Sequence, residues 1–158
     1  MDLSETAVRI RDYRPGDLQR LYQIDQICFA PDIAYSRSEL FFYLRHKDSL
    51  AKIAEWNDDI AGFVVGRVEA NRCAHVLTVD VIPDARRRRV GTALMNVLHE
   101  EFHKREIAMV FLEVDVSNRG ALDFYERLGY ERTETLKGYY AGRSDAYRMV
   151  LFMEKPPE

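Results

Sequence analysis

The chain has 158 residues, 47% of them hydrophobic, enough for one sizeable core and few for two, so a single domain over residues 1–158 is expected. A formal charge of -3 argues against a general attraction to nucleic acid. Cys28 and Cys73 lack metal-ligand or C-x-x-C spacing and read as reduced thiols of a cytoplasmic protein. No apolar leader or run of eighteen apolar residues is present, so no metal, no secretion and no membrane association is expected.

Val8 to Tyr13 alternates as a strand, and Pro15-Gly16-Asp17 then opens a helix carrying Leu18, Leu21, Tyr22, Ile24 and Ile27. After a loop with Pro31, Ser36 or Ser38 starts a second helix through Leu40, Phe41 and Leu44. Ser49 to Trp56 and Asp59 to Glu69 read as a strand pair turning at Asn57-Asp58. Ala74 to Ile82 is the next strand, and the helix after it turns Leu94, Val97, Leu98 and Phe102 inward. Ala108 to Val116 is a buried strand. A short helix follows, capped by Ser117 or Asn118, with Ala121, Phe124, Tyr125 and Leu128 on one face and Gly129 suited to the left-handed residue after its end. Tyr130 to Leu136 and Asp145 to Phe152 form two last strands around the connection Lys137 to Ser144. The four histidines, His46, His75, His99 and His103, show no metal-binding spacing; His99 and His103 share a helix face, and solvated positions explain them better than zinc. This order implies an α/β chain with a mixed sheet flanked by helices.

Two segments carry chemistry. In Val79-Asp80-Val81-Ile82-Pro83-Asp84-Ala85-Arg86-Arg87-Arg88-Arg89-Val90-Gly91-Thr92, a strand runs through a proline turn and four arginines into a helix. A helix start offers unpaired N–H groups and a positive dipole end, so the corner suits phosphate; a solvated charge run is the plain alternative. The second segment is Asn118-Arg119-Gly120-Ala121-Leu122-Asp123-Phe124-Tyr125-Glu126-Arg127-Leu128-Gly129-Tyr130, in which Tyr125 taken alone reads as a core aromatic.

Together, in this order, the two segments resemble the paired signatures of the GNAT acetyltransferase superfamily over nearly the whole chain. The resemblance implies that fold: a mixed, mostly antiparallel seven-strand sheet with about four helices, splayed between its fourth and fifth strands to admit the pantetheine arm of acetyl-coenzyme A. It implies that Val79, Val81, Arg86, Arg87, Arg88, Arg89, Val90, Gly91, Thr92 and Asn118 bind the coenzyme, the amides from Arg86 to Thr92 wrapping its pyrophosphate. Tyr125 would lie near the sulfur as general acid. Arg89 stands where the family has its first glycine, so a positive φ there would cost energy.

Amide formation from a thioester needs a neutral amine, a polarised carbonyl and a proton for the leaving sulfur. Glu113, a carboxylate in the apolar run Val110 to Val116, is the candidate base, its pKa expected to rise with partial burial; a satisfied strand-end carboxylate is the alternative and Asp80 the reserve. An N–H near Val81 would hold the thioester oxygen. Within the superfamily, Leu112-Glu113-Val114, Tyr139-Tyr140 and Asp145-Ala146-Tyr147-Arg148-Met149 look most like the RimI-like ribosomal-protein alanine N-acetyltransferases and related N-terminal acetyltransferases. That resemblance implies peptide clamping by Tyr139 and Tyr140, with Tyr35 and the loop from Phe29 on the opposite wall. The expected activity is acetyl transfer to a primary amine, foremost a protein or peptide N-terminus, by direct attack in a ternary complex. A small amine as acceptor, or a noncatalytic acyl-coenzyme sensor, stays open.

Overall fold

The computed structural model describes residues 7–140 and 142–153. Residues 1–6, where no leader is expected, and Ala141, in the expected final connection, lie outside the described residues. Strand β1 (Arg9–Asp12) leads through a 3₁₀ turn (Pro15–Asp17) into helix α1 (Leu18–Cys28). The Asp17 carboxylate locks that entry, accepting from the Arg14 N–H at 2.8 Å and from both Arg11 guanidinium nitrogens at 2.8 and 3.0 Å. Helix α2 (Arg37–Arg45) starts at Ser36, whose hydroxyl accepts from the Glu39 N–H while the Glu39 carboxylate accepts from the Ser36 N–H.

Strands β2 (Ser49–Trp56) and β3 (Asp59–Val68) join through Asn57 and Asp58, both left-handed at φ 55° and 62°. Those angles suit the tight two-residue turn of a hairpin. Then follow β4 (Cys73–Val81), α3 (Val90–Lys104), β5 (Met109–Asp115), α4 (Arg119–Arg127), β6 (Glu131–Tyr140) and β7 (Ser144–Phe152). The final strand pair is longer than the sequence suggests, placing Tyr139 and Tyr140 on β6 itself.

The seven strands form one sheet in the order β1-β2-β3-β4-β5-β7-β6, antiparallel except for β4 beside β5. One face carries α1 and α2 over Ile53, Phe63 and Val65. The other carries α3 and α4 over Val64, Val76 and Val110. Helix α3 buries Leu94, Met95, Leu98 and Phe102, with Met95 taking the core place expected of Val97, which stays at the helix flank. Helix α4 buries Leu122, while Ala121, Phe124, Tyr125 and Leu128 pack against the same core less completely. Its Asn118 cap accepts from the Ala121 N–H at 3.1 Å, and Gly129 beyond its end has φ 101°.

Two irregularities of β4 break the regularity of the sheet at its centre. Val65 pairs with Thr78 and Gly66 with Val76, so Leu77 is an extra residue on β4. This bulge reverses the facing of the strand: Val76 points to the α3 layer, while Thr78 and Asp80 turn toward α1 and α2. Secondly, β4 and β5 pair only over Cys73–Met109, Ala74–Val110 and His75–Phe111, then part, as the expected splay requires.

At the start of α3, Arg89 is left-handed (φ 59°, ψ 26°), and so is Arg87 (φ 72°). The strain expected at Arg89 is therefore present, at about 1–2 kcal/mol for each such residue. Arg89→Gly should relieve it, and after the extra chain entropy of glycine the gain is on the order of 0.5–1 kcal/mol, read as a higher Tm. Ser36→Ala should lower stability by about 1 kcal/mol in a urea titration, with the slope of the transition unchanged.

Candidate active site

Where β4 and β5 part, a cleft of about 420 Å³ opens between Val76 to Val79 on one strand and Leu112 to Asp115 on the other. A sheet interrupted in this way leaves backbone groups facing a gap. The α1–α2 loop closes one wall with Phe29, Ile33 and Tyr35; Tyr139 and Tyr140 close another, and Asn118 and Tyr125 line the far side. Seven of the expected site residues thus meet in one cleft: Tyr35, Val79, Glu113, Asn118, Tyr125, Tyr139 and Tyr140.

Glu113 sits on β5 with 6% of its side chain exposed. Its Oε1 lies 2.6 Å from His75 Nε2 and accepts from the Tyr139 hydroxyl at 3.1 Å; Oε2 accepts from Arg148 Nε at 3.4 Å. Burial raises the pKa of this carboxyl, but the bonds from His75 and Tyr139 and the Arg148 charge outweigh it and hold the group below its ordinary value. That corrects the expected rise: partners, more than burial, set this acid. The imidazole is not among the expected site residues. His75 stacks on Phe111 (4.4 Å, 13° between planes) and lines the cleft. The sequence holds no local signal for it: only the short parallel register sets His75 opposite Phe111 and so two residues from Glu113.

Tyr125 packs edge-on against Phe124 at 5.1 Å and Tyr130 at 5.7 Å, and burial raises its phenol pKa. Tyr130 in turn shares a hydrogen bond of 2.8 Å with His99, whose imidazole burial pushes down to about 4. His99 is therefore a neutral packing partner here, unlike the solvated reading. Burial also raises Tyr35, Tyr140 and, to about 12, Tyr139, so these three phenols are neutral at pH 7.

Val81 and Arg86 to Thr92 lie at the outer end of β4, beyond the cleft lining. Arg86 Nε donates to the Val81 carbonyl at 3.2 Å, and the Arg88 guanidinium stacks 4.5 Å over Trp56. Helix α3 has no side-chain cap, so the N–H groups of Val90, Gly91 and Thr92 stay free for an anion. A Cβ on Gly91 would stand 3.2 Å from Phe124 Cζ, so glycine there also lets α3 close on the helix that carries Tyr125.

Across the cleft, the Tyr35 hydroxyl donates to the Leu77 carbonyl at 3.1 Å, and Tyr139 and Tyr140 stand edge to face at 4.9 Å. The Asp145 carboxylate accepts from the Gly138 N–H at 2.8 Å and ties down the hairpin behind them. Asp80, the reserve base, is 1% exposed, turned by the Leu77 bulge toward α1, and is not among the residues lining the cleft. Among the described residues, no helix is long and apolar enough to cross a membrane.

Comparison with known proteins agrees with this layout. An N-alpha-acetyltransferase of Sulfurisphaera tokodaii is 28% identical over 90% of this chain and 91% of its own. The bS18-alanine N-acetyltransferase of Escherichia coli is 36% identical over 60% of this chain and 66% of its own. The crystal structure of the ribosomal-protein-S18-alanine N-acetyltransferase from Escherichia coli superposes with a TM-score of 0.86 at 29% identity, covering 96% of this chain and 97% of that one. The profile of the Acetyltransferase (GNAT) family matches residues 18–130, and the chain belongs to that family of acetyltransferases.

Proposed function

We propose that the protein transfers an acetyl group from acetyl-coenzyme A to the α-amine of a protein or peptide N-terminus. The observation that carries this reading is the cleft itself, where a shielded carboxylate–imidazole pair and a neutral buried phenol line opposite walls of a strand gap. Full-length relatives named as N-alpha-acetyltransferases support the acceptor class.

The residues present fit the co-substrate. The uncapped start of α3 and its arginines match a pyrophosphate, and the gap beyond the His75–Phe111 pair would admit an extended arm between two strands. When bound, the coenzyme supplies an activated acyl carbonyl; the rest is proton handling and positioning. Glu113, ionised because its partners favour the charged form, holds the His75 N–H, which leaves the other ring nitrogen as the acceptor. The pair then draws a proton from the acceptor ammonium, near whose pKa an imidazole is a better match than a lone carboxylate. The amine attacks the acyl carbon directly, and the Tyr125 hydroxyl gives its proton to the departing sulfur. Tyr35 on one side and Tyr139 with Tyr140 on the other hold the acceptor backbone.

Glu113→Gln and His75→Gln should each lower kcat about 10²-fold, and the double variant scarcely more, because the two groups act as one unit. Additive losses would separate them. Tyr125→Phe should lower kcat at least tenfold with the KM for acetyl-coenzyme A unchanged. A thiol-release assay with short peptides differing at residue one, run beside common small amines, tests the acceptor; turnover confined to a small amine would overturn the peptide reading.

A further inference from the structure

At the α1 wall of the cleft, which Asp25 helps to line, two carboxyl groups approach each other. Asp25 on α1 is 0% exposed and Asp80 on β4 is 1% exposed, both inside the layer formed by α1, α2 and the sheet. Asp25 Oδ2 accepts from the Tyr35 N–H at 2.7 Å, and Asp80 Oδ1 accepts from the Thr78 hydroxyl at 2.5 Å. The remaining oxygens, Asp25 Oδ1 and Asp80 Oδ2, are buried without a donor among the described residues, and the two carboxyl groups stand close enough to perturb each other. Two carboxylates this close repel unless a proton lies between them, and burying both charges with no cation in contact would cost far more than keeping one neutral.

We propose that Asp25 and Asp80 share one proton, and that this contact clamps the α1–α2 loop to β4 and thereby sets the acceptor wall of the cleft. The groups around the pair are consistent with it. Glu39 on α2 adds negative potential at Asp25, Cys28 on α1 is a thiol pushed up to about 11, and the Tyr35 and Tyr125 phenols are neutral. The Arg86 guanidinium is engaged with the Val81 carbonyl and with Cys28 Sγ at 3.8 Å. Burial raises both carboxyl groups, Asp80 the more strongly. The clamp reaches the cleft through Tyr35, held by Asp25 at its N–H, by Gln26 at its carbonyl (2.8 Å) and through its hydroxyl on Leu77. Asp80 is thus a positioning residue flanked by Val79 and Val81.

The kinetic part rests on the acyl-transfer reading; the spectroscopic and thermal parts stand without it. In the full chain at pH 7, infrared spectra should show the C=O stretch of a protonated carboxylic acid, lost in both Asp80→Asn and Asp25→Asn. A folded-state pKa raised above the unfolded one means stability lost as pH rises through the folded value. Asp80→Asn, permanently neutral and able to donate, should therefore melt higher than wild type at pH 8, with the gap closing as pH falls toward 4. Asp80→Val should raise the KM for the best peptide acceptor at least fivefold, with kcat and coenzyme KM within twofold of wild type, whereas Asp80→Asn restores the acceptor KM.

Absence of the acid band together with parallel melting curves would overturn the shared proton. An unchanged acceptor KM in Asp80→Val, or a kcat loss in Asp80→Asn with a shifted pH profile, would overturn the clamp. The infrared and Asn arms decide the matter if Asp80→Val does not fold. If no amine is turned over at all, the acyl-transfer reading fails, while the band and the melts still judge the proton.

Discussion

Strands β4 and β5 hold each other for three residue pairs and then separate, and the site depends on that limit. A parallel pair running on would fill the space with ladder hydrogen bonds and side chains. Because it stops at His75 and Phe111, the later residues of both strands line an open gap, with Glu113 beside His75 at its edge. Each remaining element closes that gap: the α1–α2 loop from one face, α4 from the other, and the β6–β7 hairpin across the mouth.

Much of this was legible in the chain itself. The hairpin turn at Asn57-Asp58, the Ser36 and Asn118 caps and the stop at Gly129 are local signals, decided within a few residues by backbone sterics and by who can accept from a free N–H. What was not legible is what two distant segments decide jointly. The extra residue at Leu77 exists only against Val65 and Gly66 of β3, and it alone explains why Val76 faces α3 while Thr78 and Asp80 face α1 and α2. Likewise His75 looks like any strand histidine until β5 brings Glu113 to its ring. The pKa of Glu113 followed suit, since burial was foreseeable from an apolar strand but Tyr139 and Arg148 arrive from the last hairpin.

The arginine corner shows a conflict between local and global preference. Arg87 and Arg89 accept left-handed angles that glycine would take freely, and the surrounding structure holds them there. Their guanidinium groups gain something glycine lacks, a positive field beside an uncapped helix start. The same corner places Gly91 against Phe124, so α3 closes on the helix that carries Tyr125.

The neutral His99 behind Tyr130 carries a consequence for acid conditions. Its imidazole is held at about 4 in the fold against 6.5 when free, so across that interval the unfolded chain takes up a proton that the native chain refuses. Each step of acidification there lowers the stability of the fold that holds His99 against Tyr130 and Tyr130 against Tyr125. Mild acid thus works against the packing behind Tyr125 through the unfolded chain, while the native imidazole is still neutral.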